Sequence, residues 1–147
     1  MIYSERVKKA CQIMFEAHKN DVDKGGYPYV FHPFFLATQM DDEASACVAL
    51  LHDVVEDHGD IYTLEYLRKE GFTEPELEAL ALLTHDEATP YMDYIKEIAS
   101  NPLARKVKLA DLAHNTDANR LNGRRFKKYP LYKEAMEYLR NKQEEEV

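Results

Sequence analysis

Leu50-Leu51-His52-Asp53-Val54-Val55-Glu56-Asp57 is the stretch on which the reading of this chain turns. Placed on a helix at about 100° per residue with His52 at zero, Glu56 falls at about 40°, Asp53 at about 100° and Asp57 at about 140°. Cys47, Val48, Leu50, Leu51, Val54 and Val55 fill the remaining arc. The numbering therefore predicts one apolar face and one face carrying an imidazole and three carboxylates, with no Lys or Arg among them. Like charges crowded on one helix surface repel. A bound cation relieves that repulsion, and adjoining His and Asp side chains suit a transition metal with mixed nitrogen and oxygen donors. A His-Asp pair by itself arises by chance in many helices, so support has to come from elsewhere in the chain.

Immediately upstream, Asp41 or Asp42 is placed to cap this helix and Gly59 to help end it. Before that comes Tyr29-Val30-Phe31-His32-Pro33, where His32 opens a helix with Pro33 in its first turn and Phe34, Phe35, Leu36 and Met40 read as core. Asp21 to Pro28 contains two glycines and a proline. It is either a loop that brings backbone amides and Lys24 to a phosphate-bearing ligand or a plain surface turn. Ser4 caps a first helix to about Asn20, in which His18 is either a ligand or a satisfied histidine near the helix end.

Downstream, Thr63 to Glu70 reads as a short helix stopped by Gly71, and Thr73-Glu74-Pro75-Glu76 has the form of a capping box. Thr84-His85-Asp86 is a second His-Asp pair, read as a loop with at most a peripheral role. Thr89-Pro90 and Asn101-Pro102 each resemble a cap followed by proline in the first turn. The helix after Asn101 carries Asp111 and Asn115 on one face, and a core helix has little reason to bury an Asp that nothing pairs. A last amphipathic helix runs from about Pro130 to Lys142, with residues 142–147 expected to fray. No segment alternates at the strand period for long. The expected fold is all-α, a compact bundle of about seven or eight helices formed by one domain over 1–147.

The composition fits that picture. A chain of 147 residues with 45% hydrophobic and 31% charged residues suits a globular domain with a substantial core. The net charge of -8 argues against nucleic acid and anionic membranes as partners. Cys11 and Cys47 sit among apolar residues, which favours buried thiols over a disulfide. No signal-peptide pattern and no long apolar segment is present, so a cytoplasmic location is expected.

Taken together, Tyr27-Pro28-Tyr29-Val30-Phe31-His32-Pro33, Ala49 to Asp57, and Val107-Lys108-Leu109-Ala110-Asp111 with His114-Asn115 resemble the HD-domain metal-dependent phosphohydrolases. The resemblance is to their alarmone hydrolase branch, the RelA/SpoT-type enzymes and small stand-alone hydrolases that remove pyrophosphate from guanosine 3′-pyrophosphates. It implies an α-helical HD fold with one Mn²⁺ held by His32, His52, Asp53 and Asp111. It also implies Glu56 and Asp57 as the pair that activates water, Asn115 as a substrate-positioning residue and Lys24 as part of the nucleotide loop. Two positions depart from the pattern: Asp23 stands where a basic residue is usual, and Leu112 follows Asp111 in place of Arg. The Asp23 charge is expected to face the nucleotide loop and weaken an anionic ligand there.

Two imidazoles and two carboxylates leave coordination positions open, which suits Mn²⁺ or Fe²⁺ better than a closed zinc site, with zinc or another divalent metal as alternatives. Glu56 is placed to take a proton from water and Asp57 to orient it or share the proton. Lys24, Lys108 and Arg120 are the candidate phosphate ligands, and Tyr29 either stacks on a base or belongs to the core. The function expected is hydrolysis of ppGpp with release of pyrophosphate. The alternatives are an HD hydrolase of another nucleotide or small phosphoester, and a non-catalytic nucleotide-binding module. The oligomeric state stays open.

Overall fold

The computed structural model describes residues 1–120 and 126–146. These residues form nine α-helices: α1 (Glu5–His18), α2 (Phe31–Thr38), α3 (Glu43–Leu51), α4 (Val54–His58), α5 (Leu64–Lys69), α6 (Glu74–Leu83), α7 (Tyr91–Ala99), α8 (Pro102–Asn115) and α9 (Tyr129–Glu145). No strand occurs among them, and the only extended pairing described is an isolated bridge between Val22 and Pro28. The protein is all-α. No helix among the described residues is long and apolar enough to cross a membrane.

Local chemistry sets most helix starts. The side chains of Ser4, Asp42, Thr63 and Asn101 each accept a backbone N–H of the first turn, and Thr73 and Glu76 close the capping box reciprocally. Thr89 does not cap α7. Pro90 itself takes the cap position, at the extended ψ of 142° with φ -53°, and no side chain caps the helix.

α3 lies at the centre, packed against α1, α2, α6 and α8. Every residue from Ser45 to Leu51 is buried, as expected of a helix that is apolar all round. Leu50, Leu51, Leu80, Ile95, Ile98, Leu112 and Leu139 fill the surrounding core. Ion pairs join distant elements at its edges. Arg6 of α1 contacts Glu76 of α6 and lies 2.7 Å from Glu43 of α3.

The predicted single central helix is broken at the His-Asp pair, which is why nine helices appear where seven or eight were expected. α3 ends at Leu51, and Asp53 stands at φ -105°, ψ -2° as the cap of α4. The side chain of His52 supplies a reason. Its Nδ1 lies 2.7 Å from the carbonyl of Ala49, the group that a continuous helix would offer to the Asp53 amide. The four polar residues therefore do not lie along one helix face but are turned around a corner.

Other expectations fail for tertiary reasons. Phe34 and Phe35 are 46% and 44% exposed, because only the Leu36–Ala37 side of α2 meets α3. The C-terminal helix does not end at Lys142 but runs to Glu145, and Glu146 is held by the buried Arg105, 2.5 Å away. Val147 lies outside the described residues. Cys47 is buried, Cys11 is partly exposed, and neither forms a disulfide.

Candidate active site

Three separate pieces of chain bring four side chains together. His32 comes from the first turn of α2, His52 and Asp53 from the corner between α3 and α4, and Asp111 from the third turn of α8. His32 Nε2 lies 2.8 Å from Asp111 Oδ1. His52 Nε2 lies 3.1 Å from Asp53 Oδ2 and 3.5 Å from Asp111 Oδ1. His32, His52 and Asp111 are almost wholly buried.

The proton inventory of His52 shows what this cluster lacks. A carbonyl oxygen only accepts, so Nδ1 of His52 carries the hydrogen given to Ala49. In the neutral ring, Nε2 then presents a lone pair, and this atom is buried with no hydrogen-bond partner. It faces two carboxylate oxygens, so three electron-rich atoms meet in one buried place. Without a metal ion the ring must gain a proton. Burial opposes this, but the charges of Asp53 and Asp111 outweigh it and hold His52 well above the ordinary histidine value. Burial alone would raise the Asp53 and Asp111 carboxyls, yet His52 for the first and Lys108 for the second hold both below the usual range. His32 goes the other way: burial holds it low, in the neutral form that ligates metals. The donor set therefore fits a divalent cation, in both donor chemistry and charge.

Around this cluster each oriented group has an identifiable partner. Asp111 Oδ2 accepts from Lys108 Nζ at 2.9 Å, and its Oδ1 accepts from Asn115 Nδ2 at 3.0 Å. Lys108 is thus not an open phosphate ligand. It is nearly buried, lies over the rings of Tyr94 and Tyr91, and supplies the counter-charge to Asp111. Tyr29 donates its hydroxyl to Asp53. His32 Nδ1 meets Nδ1 of His114 at 2.7 Å. His114 was visible in the sequence beside Asn115 but carried no signal of its role, because its partner lies 82 positions away.

Glu56 and Asp57 lie in the first turn of α4, directly after the His52-Asp53 corner. Glu56 Oε1 accepts the backbone N–H of His85 at 2.8 Å. The second His-Asp loop, read as peripheral, therefore anchors this carboxylate through its backbone. Desolvation and the Asp53 charge raise Glu56 despite that bond. The same causes, with Glu56 added, push Asp57 up to about 6.

A cavity of about 260 Å³ adjoins the cluster, and Lys24, Tyr29, Asn115, Arg120, Phe126 and Tyr132 are among its lining residues. Tyr29 and Asn115 link its wall directly to Asp53 and Asp111. Two cations and three aromatic rings make it chemically suited to an anionic, ring-bearing ligand. Lys24 Nζ sits 5.1 Å from the Phe126 ring centre.

Asp23 lines the same cavity, but both of its oxygens are engaged within the loop. Its Oδ1 accepts from Gly25 and Tyr27 N–H groups, both at 2.9 Å, and its Oδ2 lies 3.6 Å from Arg120 Nε. It staples a turn in which Gly26 adopts φ 83° and Gly25 passes so close to the Arg120 carbonyl that a Cβ would sit 3.0 Å from it. Leu112 is fully buried in the core.

Comparison with known proteins adds sequence and fold relatives. No family model matches the chain. A Mycobacterium leprae protein named "Probable GTP pyrophosphokinase" is 31% identical over 121 residues, covering 74% of this chain and 15% of that protein. GTP pyrophosphokinases of Streptomyces coelicolor and Myxococcus xanthus are 29% and 32% identical, over 75% and 74% of this chain and 14% and 16% of theirs. The chain thus spans about one-seventh of the length of these curated relatives. Among solved structures, a metazoan ortholog of SpoT that hydrolyzes ppGpp and plays a role in starvation responses superposes with a TM-score of 0.73. It is 22% identical, and the match covers 97% of this chain and 87% of that one. The all-α bundle is shared with that structure.

Proposed function

We propose that this chain, which resembles the RelA/SpoT-type proteins in both sequence and fold, is a metal-dependent phosphohydrolase acting on ppGpp-like nucleotides with release of pyrophosphate. The observation that carries the reading is the unpartnered Nε2 of His52, buried against the Asp53 and Asp111 carboxylates. His32, His52, Asp53 and Asp111 would hold a divalent cation there, Mn²⁺ being the first choice for a mixed imidazole and carboxylate set with open positions. When bound, such a cation acidifies water and neutralises phosphate oxygens.

The remaining steps belong to the chain itself. Glu56, fixed by the His85 amide and raised toward neutrality, is the proton acceptor, and Asp57 beside it shares or orients that proton. Lys24 and Arg120 meet the phosphates, while Tyr29, Phe126 and Tyr132 offer faces for the base. Asn115 bridges the two halves, donating to Asp111 and accepting from Arg120 at 2.5 Å. We treat residues 1–147 as one domain carrying this hydrolytic site. The name pyrophosphokinase on the longer relatives denotes a transfer reaction, whereas paired carboxylates beside a cation-binding set favour attack by water.

A second reading keeps the site and changes the substrate. It is favoured by Asp23, which offsets part of the Arg120 charge, and by Leu112, which offers no cation. Incubation of the purified protein with ppGpp, pppGpp and deoxynucleotides in Mn²⁺ decides between them. The expected result is pyrophosphate release from ppGpp that a chelator abolishes and Mn²⁺ restores. Consumption of another nucleotide alone would keep the metal chemistry and remove the alarmone assignment. Binding of ppGpp without turnover of any nucleotide would leave a sensing module.

A further inference from the structure

A second convergence of donors lies outside the His52 cluster. His18 closes α1, Asp21 sits in the turn that follows, and His58 closes α4. Backbone bonds fix Asp21 on both sides: its N–H donates to the His18 carbonyl and its own carbonyl accepts from Tyr29 N–H, each at 2.9 Å. Its Oδ2 then receives both imidazoles, with His18 Nδ1 at 2.9 Å and His58 Nε2 at 2.7 Å. One donor atom from each residue lies within 4.8 Å of the other two, and with the Asp21 oxygen 2.9 and 2.7 Å from the two imidazole nitrogens, small side-chain shifts bring all three onto one ion with bonds of about 2.0–2.2 Å.

The groups are left short of partners as they stand. His18 is fully buried, and its Nε2 has no hydrogen-bond partner. Burial holds this ring below the ordinary histidine value despite Asp21, so it is neutral. A neutral imidazole has one N–H. Placed on Nδ1, it satisfies Asp21 and strands the Nε2 lone pair. Placed on Nε2, it turns the Nδ1 lone pair onto the Asp21 carboxylate oxygen, an opposition that an ion between the two removes, while the Nε2–H stays without a partner in either case. Among the described residues Asp21 has no Lys or Arg partner, and its ion pairs are with these two histidines alone.

We propose that His18, Asp21 and His58 bind a second divalent transition-metal ion, zinc by preference. Two imidazoles and one carboxylate match zinc donors, and the partial exposure of Asp21 (34%) and His58 (28%) leaves room for water to complete the shell. The ion ties the end of α1 to the end of α4. It also fixes the His18 ring, whose centroid is 4.9 Å from that of Tyr29, the residue that donates to Asp53. The proposal does not depend on the hydrolytic reading.

The test is a metal count on the full chain, stripped with chelator, reloaded with Zn²⁺ and freed of excess by gel filtration. Wild type should retain about two ions per chain. His58→Ala and the near-isosteric Asp21→Asn should each retain about one, and far-UV circular dichroism should show both still folded. Asp111→Asn should also retain about one, and its combination with His58→Ala about none. The site is refuted if wild type holds a single ion that Asp111→Asn removes, or if His58→Ala and Asp21→Asn keep the wild-type count. Failure of the His52 cluster would instead appear as a count that Asp111→Asn does not change.

Discussion

The imidazoles of His32 and His114 lie parallel to within 2°, with ring centroids 5.0 Å apart and their Nδ1 atoms 2.7 Å apart. Two nitrogens at that distance share one proton. Burial, then the nearby His32, pushes His114 down to about 4, so it is neutral near pH 7 and free to accept. When His32 is the donor, its Nε2 lone pair is left facing the Asp111 side of the cluster. Phe35 stacks on the far side of His114 at 4.4 Å, which gives that exposed aromatic a task at the site.

Removal of this partner should loosen the metal without removing a ligand. His114→Ala is expected to weaken Mn²⁺ binding by about 10–100-fold, the usual cost of losing the group that orients a ligating histidine. A competition titration against a chelator measures this. Unchanged affinity would mean that His32 needs no help from His114.

Glu56→Gln separates proton transfer from metal binding. The amide oxygen can still accept from the His85 N–H, so the loop should stay in place. Turnover is expected to fall by about 10²–10⁴-fold with metal content unchanged. Parallel loss of metal and activity would make Glu56 a ligand instead of a base.

Asp23→Arg is expected to raise KM for ppGpp. The substitution removes the acceptor for the Gly25 and Tyr27 amides and sets a second guanidinium beside Arg120. Metal content should not change, and kcat should move less than KM. A lowered KM would show that charge in the loop matters more than its shape.

Asp57 gives a pH signature in the metal-free protein. Desolvation and its acidic neighbours hold it at about 6, above the ordinary value of 3.8. A carboxyl raised by folding contributes stability that is full below its unfolded value and lost as pH rises through the folded one. Metal-free wild type should therefore lose stability between about pH 4 and 6, while Asp57→Asn should lose less over that window. Denaturant midpoints measured across it would overlay for the two proteins if another group were responsible. Added Mn²⁺ should flatten the wild-type curve by favouring the ionised carboxylates.

The sequence by itself determined what depends on near neighbours in the chain. Helix starts at Ser4, Asp42, Thr73 and Asn101 were legible because a cap bonds to amides two or three residues away. The all-α character followed from apolar spacing, and the resemblance to RelA/SpoT-type proteins from strings of adjacent residues. The tertiary structure decided what depends on who arrives from elsewhere. Asp23 reads from the sequence as a charge opposing a ligand, whereas Arg120 lies beside it, and Lys108 reads as a phosphate ligand, whereas Tyr91 and Tyr94 enclose it against Asp111. The corner at His52 and Asp53 escaped the helical numbering for a related reason. Period counts assume that the backbone ladder continues, whereas here a side chain occupies the Ala49 carbonyl. Charge partnership and burial are set by through-space distance, which residue spacing along the chain does not encode.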